Sequence, residues 1–316
     1  MGNKQELNFD MIILGGGPAG LSAAIYAARG AVKVAIVDIS MTGGQVSNTL
    51  ELENYPGFPI VGGYDLMEKF EEHADKFGVE KFLMQEITSI NLVGETKIIE
   101  TTENTFKAKS IVIATGAKPQ KLGVVGENEF AGRGVSYCAV CDGAFFKEKV
   151  VTVVGGGNAA IEEAMYLTRF ATKVNVVHRR DELRADKIVQ QRAFENKKLN
   201  FIWDSAITEI VGDKNVNKAV VKNLKTNEVT ELETDAVFPY VGFKPNTEMF
   251  AGQIQLSPQG FIEANMDLET NLQGVYVAGD VRVTPLRQVI TAAADGAVAA
   301  TNSIKYIEKL ETVTVG

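Results

Sequence analysis

Ligands for a metal are scarce in this sequence. It holds two cysteines and two histidines in 316 residues. A zinc centre normally takes four ligands, and only Cys138, Cys141, His73 and His178 could supply nitrogen or sulfur, so no metal site is expected. Basic excess is missing too. Lysines and arginines number 32 against 40 acids, the net charge is −8, and the pI is near 5.1. That balance argues against a nucleic-acid partner, because neutralising phosphates needs a basic face. No apolar run approaches bilayer length, so no membrane span is expected. The start, Met1-Gly2-Asn3-Lys4-Gln5-Glu6, lacks the apolar centre of a signal peptide. Glu6 also stands where a myristoylation signal wants Ser or Thr. A reducing cytoplasm is the expected setting, where a lone cysteine pair is more often catalytic than structural.

What is present is a compact dithiol. The two cysteines stand as Cys138-Ala139-Val140-Cys141-Asp142, shortly before the second of two dinucleotide-binding fingerprints. A two-residue gap can close a small disulfide ring and lowers one thiol's pKa. Beside a βαβ pattern this spacing points to electron transfer, the alternative being two ordinary thiols in a loop.

An internal repeat organises the rest. Residues 10–38 match residues 150–178 without a gap: Gly15, Gly16 and Gly17 align with Gly155, Gly156 and Gly157, and Tyr26 and Arg29 with Tyr166 and Arg169. Each copy reads as an apolar strand, a glycine turn, a helix-period stretch and a second strand. Gly15 and Gly155 make the tight exit from the strand, Gly17 and Gly157 admit a pyrophosphate, and Gly20 and Ala160 let helix and sheet pack closely. The pyrophosphate meets free N–H groups at the helix N-terminus.

The copies diverge where they should. The first ends on Asp38, placed to accept ribose hydroxyls; the second ends on His178, followed by Arg179, Arg180 and Arg184. An acid repels a 2′-phosphate, whereas guanidiniums bind it through paired, charge-assisted hydrogen bonds. The first site therefore suits a dinucleotide without that phosphate and the second suits NADPH. The other reading of Arg179 to Arg184 is a solvated charged turn.

Length favours two domains. Residues 111–119 and 237–245 both end in Gly-x-Lys-Pro, each closing a nucleotide domain with a crossover near Pro119 and Pro245. The buried-looking run 274–280 and a small-residue helix from about Thr291 to Lys309 complete the first domain, so the second is inserted into it. The expected architecture is α/β: two Rossmann-like nucleotide-binding domains, one of residues 1–117 and 247–316, the other of residues 118–246. Residues 81–108 and 199–234 alternate like small antiparallel sheets or edge ribbons, and residues 68–78 read as an amphipathic surface helix that leaves His73 exposed.

With these motifs in view, the chain resembles the low-molecular-weight thioredoxin reductases over nearly its whole length. The resemblance is carried by Gly15-Gly16-Gly17-Pro18-Ala19-Gly20, Gly43-Gly44-Gln45, Asn54-Tyr55-Pro56-Gly57 and Ala114-Thr115-Gly116. It continues through Cys138 to Asp142, Gly155-Gly156-Gly157-Asn158-Ala159-Ala160, His178 to Arg184, Gly279-Asp280 and Arg287-Gln288. The dithiol inside the NADPH domain, with no dimerisation domain after it, points to this branch. Ala294 departs from it, since a glycine is common there.

The resemblance implies a homodimer with FAD at the first site and NADPH at the second. Asp38 and Gln45 would hold the adenosine side, with Asn54 nearer the flavin, Asp280 on the ribityl chain and Arg287 and Gln288 along the ring. Hydride from NADPH would pass to FAD, then to the Cys138–Cys141 disulfide, then to a thioredoxin-like protein. Cys141 would face the flavin and Cys138 would attack the partner. Asp142 is the candidate acid/base, its other reading being a cap. Arg133, Phe145 and Phe146 match positions that cover the partner, although two phenylalanines can equally begin a buried element. The resemblance further implies that the NADPH domain rotates on residues 117–122 and 244–248 between half-reactions. Rival readings are a dithiol oxidase, a ferredoxin-driven reductase and a non-catalytic redox sensor. Peroxide-linked relatives carry an extra N-terminal domain, for which residues 1–10 leave no room.

Overall fold

Strand Gln5–Leu14 starts exposed and ends with four buried residues, the pattern of a strand running into the middle of a sheet. The structure, a computed structural model, describes residues 4–49 and 51–314. The part of the leader reading that rests on Met1, Gly2 and Asn3 therefore lies outside the described residues. The chain divides into two compact units. One is the chain up to Lys118 together with the chain from Lys244 onward; the other is Pro119–Phe243.

The first unit holds a seven-stranded sheet. Its order is Glu80–Phe82, Val34–Val37, Gln5–Leu14, Asn104–Ile113, Lys97–Thr101, Ile87–Asn91, with Val275–Val277 also against Asn104–Ile113. Strand Asn104–Ile113 lies parallel to Gln5–Leu14 along its length. Its other edge is shared: residues 105–108 pair antiparallel with residues 97–100, and residues 111–113 pair parallel with Val275–Val277. Helix Pro18–Arg29 opens on Pro18, whose missing N–H costs nothing in a first turn. Helix Val289–Thr314 crosses it closely; a Cβ on Gly296 would stand 2.1 Å from the Ala19 carbonyl oxygen, so only glycine fits. The amphipathic helix spans Gly63–Lys76 and buries Leu66, Met67 and Ala74 while His73 stays exposed.

The second unit repeats the first in smaller form. Its parallel sheet runs Leu199–Ile202, Lys173–Val177, Val150–Val154, Ala236–Pro239. Helix Asn158–Leu167 covers it with Ala160, Ile161, Ala164 and Leu167, which pack with Val151, Val153, Val174, Val176 and Phe238. A separate antiparallel sheet follows from Ser205–Gly212, Val216–Asn223 and Val229–Glu233.

The ribbon expectation holds only in part. Residues 87–101 and 205–233 are antiparallel, but Glu80–Phe82 and Leu199–Ile202 are parallel edge strands, and residues 104–108 begin a central strand. Residues 104–108 alternate buried and half-buried positions although the strand is central, because one face of its lower half is only partly covered. Alternation reports that face and not the strand's rank in the sheet.

Candidate functional site

Cys138 and Cys141 are joined by a disulfide across a Cα–Cα distance of 5.3 Å. Cys138 is extended and caps the short helix Ala139–Asp142. Most N–H groups around the sulfurs are committed. That of Cys138 goes to Ser136 Oγ at 3.1 Å, that of Ala139 to the Tyr240 hydroxyl at 3.0 Å, and that of Cys141 to Cys138 Sγ at 3.1 Å. Asp142 N–H donates to the Cys138 carbonyl at 3.2 Å. Cys141 is exposed and Cys138 half-buried. The Asp142 carboxylate makes no cap hydrogen bond to the turn Gly143–Phe146 that follows, so the capping alternative does not describe it. Phe145 and Phe146 part company: Phe145 is 80 % exposed, whereas Phe146 turns inward edge-on to Phe238. Arg133 is exposed, donates to the carbonyls of Glu129 at 2.6 Å and Lys214 at 3.3 Å, and lies over Phe130.

In the same unit the second glycine turn is shaped for close approach. Gly155 has φ +149°, and a Cβ there would sit 2.4 Å from the Tyr240 carbonyl oxygen. Nothing lies within 4 Å of a Cβ on Gly157, so the space over the helix start is open. His178 is buried beneath the turn; a Cβ on Gly156 would meet its ring at 2.5 Å. Burial first, then the neighbouring Arg184, push its pKa down, and its Nε2 is buried without a partner. Arg179, Arg180 and Arg184 are exposed, and among the described residues none is in an ion pair. Of the two acids between Arg180 and Arg184, Asp181 pairs with Lys225 at 3.1 Å.

The first turn is built alike. A Cβ on Gly15, at φ +108°, would stand 2.3 Å from the Ala114 carbonyl oxygen, and one on Gly20 would stand 1.8 Å from that of Gly15. Gly17 again faces open space, with Gly44 against its Cα and Gly279 against Ala19. Asp38 accepts from Gly16 N–H at 2.6 Å and Ser40 N–H at 2.8 Å, yet burial outweighs both and raises its pKa. Thr115 and Gly116 are locked to Asn246: Thr115 Oγ1 donates to its carbonyl at 2.9 Å, and Asn246 N–H returns to Gly116 O at 3.0 Å. Asn54 and Gln288 meet at 3.0 Å, and Gln45 is exposed. Burial raises the Asp280 carboxyl against the pull of Arg287. Arg287 stacks 4.2 Å over Phe261, and its Nε is buried with no partner.

Several contributors were missed from sequence. Asp295 pairs Arg282 in two bonds of 2.7 Å and also accepts Gly279 N–H at 3.0 Å, which fixes the turn carrying Asp280. Tyr240, Glu163 and Asp186 also escaped notice. An acid inside the small-residue run around Asp295 was the one available signal. Ala294, the departure, is exposed.

Both turns suit a dinucleotide: obligatory glycines at the strand exits, open space over the middle glycine, and, in the first unit, an orphaned guanidinium nitrogen waiting for an acceptor. Among the described residues no cluster of His, Cys, Asp and Glu could hold a metal, and no helix is long and apolar enough to cross a membrane.

The model of the pyridine nucleotide-disulphide oxidoreductases matches residues 9–296. The chain belongs to this family. Within it, the chain is 49% identical over 307 residues to a thioredoxin reductase of Peptoclostridium acidaminophilum, covering 95% of this chain and 97% of that one. The crystal structure of Lactococcus lactis thioredoxin reductase, in its FR conformation, is 46% identical with a TM-score of 0.93, over 95% of this chain and 99% of that one. That of T. acidophilum thioredoxin reductase is 35% identical with a TM-score of 0.90, over 96% and 99%. Family and structures agree with the expected α/β fold of two Rossmann-like domains.

Proposed function

We propose that the chain is an NADPH-dependent flavoprotein that reduces the disulfide of a thioredoxin-like protein. One observation carries this: the Cys138–Cys141 disulfide lies in the same compact unit as a nucleotide turn flanked by three exposed arginines. The relatives named thioredoxin reductase support it. FAD held at the first site would supply two-electron chemistry between a reduced nicotinamide and a disulfide.

The chain's own residues do the rest. Gly15, Gly17, Pro18, Ala19, Gly20, Asp38, Gly44 and Gln45 would hold the adenosine and pyrophosphate side of FAD. Asn54, Ala114, Thr115, Gly116, Gly279, Asp280, Arg287 and Gln288 would hold its flavin side. Gly155, Gly157, Asn158 and Ala160 form the NADPH turn, supported from beneath by His178, with Arg179, Arg180 and Arg184 taking the 2′-phosphate.

Two electrons and one proton entering the Cys138–Cys141 bond break it into a thiol and a thiolate. The Cys141 N–H aimed at Cys138 Sγ stabilises negative charge there, which favours Cys138 as the attacking sulfur. Cys138 then displaces one sulfur of the partner's disulfide to form a mixed disulfide. Cys141 attacks Cys138, re-forms the internal bond and releases the partner as a dithiol. Asp142 carries the proton to the departing sulfur.

In this reading the NADPH domain turns against the FAD domain on the segments 117–122 and 244–248. The division of the compact units between Lys118 and Pro119 and between Phe243 and Lys244 supports hinges there. Glu248 accepts from Lys244 at 3.0 Å and Lys118 at 3.3 Å, which pins the first-unit ends of both crossovers; Lys244 first, then its own backbone N–H and Lys118, hold its carboxyl down to about 2. The enzyme works as a cytoplasmic homodimer, and the partner docks near Arg133, Phe145 and Phe146.

The test is anaerobic mixing of the yellow holoenzyme with NADPH, followed by turnover of a panel of thioredoxin-like disulfides, with Cys138→Ser as control. Rapid bleaching and repeated turnover are expected. A flavin that NADPH leaves oxidised would instead indicate the ferredoxin or oxidase reading, and a single turnover the sensor reading.

A further inference from the structure

We propose that Asp186, through a reciprocal hydrogen-bond pair with Asn158, is a positioning residue for nucleotide specificity: it holds the loop of Arg184 against the glycine turn so that the guanidinium meets a 2′-phosphate. The proposal rests on the reading of this turn as the NADPH site.

Asn158 Nδ2 donates to Asp186 Oδ2 at 2.8 Å, and Asp186 N–H donates to Asn158 Oδ1 at 2.6 Å. Beside this pair, the Gly156 carbonyl accepts from Arg184 N–H at 2.7 Å and Ala185 N–H at 3.1 Å. Residues 156–158 of the turn are thus tied to residues 184–186 of the loop without using any arginine side chain. Asp186 has an obvious other task, since it stands at the N-terminus of helix Lys187–Glu195. Its carboxylate makes no cap hydrogen bond to that helix and is directed to Asn158 instead.

The internal repeat supplies a comparison within the same molecule. In the first copy the Gly16 carbonyl likewise accepts a loop N–H, that of Gly43 at 2.8 Å. The position aligned with Asn158 is there Pro18, whose side chain cannot hydrogen-bond. The backbone tie is common to both copies. The side-chain pair occurs only in the copy whose loop carries arginines.

A physical reason separates the two copies. A glycine-rich loop that meets its ligand through backbone needs no further restraint. A long guanidinium must reach a phosphate in bidentate geometry, and residual freedom in its backbone is freedom lost on binding. Asp186 brings a negative charge into a site for an anion, which by charge alone opposes binding. Its retention in contact with the turn is accounted for by the restraint it imposes.

Charge and clamp predict opposite signs, which makes the test sharp. Calorimetry on the holoenzyme should compare adenosine 2′,5′-bisphosphate with 5′-AMP for the wild type, Asp186→Ala and Asp186→Asn. The clamp requires Asp186→Ala to bind the bisphosphate about tenfold more weakly with 5′-AMP affinity unchanged, the latter also certifying the fold. Asp186→Asn keeps an acceptor for Asn158 Nδ2 and should recover most of the loss. Equal or tighter binding of the bisphosphate by Asp186→Ala would overturn the clamp alone. A wild type that does not prefer the bisphosphate would overturn the NADPH reading, and the clamp with it.

Discussion

Replacing Glu163 by Gln should flatten the pH dependence of stability in the second unit. Glu163 lies in helix Asn158–Leu167, on the side of Ala160 and Leu167, and its Oε2 is buried with no partner. Burial first, and the neighbouring Glu162 second, push its carboxyl from 4.5 up to about 7. Between those values the folded protein keeps a proton that the unfolded chain has released. Stability from this group is therefore complete below pH 4.5, falls as the pH rises, and levels off above about 7. At about 1.4 kcal/mol per pH unit the full loss is about 3 kcal/mol. Partial solvent access trims it toward about 2 kcal/mol. The amide introduced by Glu163→Gln cannot titrate, so the variant escapes this loss. The chain's single tryptophan, Trp203, packs against the same core and reports this unit alone. Urea unfolding of the holoenzyme followed by Trp203 emission at pH 5 and pH 8 reads the difference. With a slope of about 1.5 kcal/mol/M, the wild-type midpoint should drop by about 1–2 M more than the variant's. Equal drops in the two proteins would refute the assignment of a buried, protonated Glu163.

Cys141→Ser should trap a stable mixed disulfide between Cys138 and a thioredoxin-like protein, seen by intact mass; trapping in Cys138→Ser instead would reverse the sulfur roles. Arg184→Ala should raise the KM for NADPH by about tenfold to a hundredfold, as expected for losing a bidentate phosphate contact, and leave the KM for NADH in place. Gly20→Ala should fail to fold, since its Cβ would meet the Gly15 carbonyl oxygen at 1.8 Å. Gly17→Ala, with open space around it, should fold but purify with less flavin absorbance per chain. Asp295→Asn breaks a largely buried pair and leaves Arg282 under-compensated, at a cost of about 3 kcal/mol; a lower melting temperature and faster FAD loss should both appear.

The two glycine turns could be read because each position has a single steric solution, and carbonyl oxygens at 2.3 and 2.4 Å from the absent Cβ atoms at Gly15 and Gly155 explain why. The dithiol was readable because nothing else in the chain could pair. Tyr240 was not, since it reaches Ala139 from 101 residues away and no local pattern announces that contact. Asp295 and Arg282 are joined only because one helix begins beside the Gly279 turn. Nothing in the local sequence marks Glu163; its burial comes from the packing of that helix. Adjacent Phe145 and Phe146 took opposite fates because the short turn Gly143–Phe146 points successive side chains in different directions.

The divided edge of strand Asn104–Ile113 bears on how the polypeptide is made. Its upper half finds its partner, Val275–Val277, only after residues 119–243 have left the ribosome. Throughout that interval Ile111, Val112 and Ile113 present unsatisfied backbone groups on an apolar strand, the kind of surface that recruits foreign strands. Pauses in translation after residue 243 but before Val277 has emerged should therefore raise the yield of aggregated chains, whereas pauses once Val277 has emerged should not.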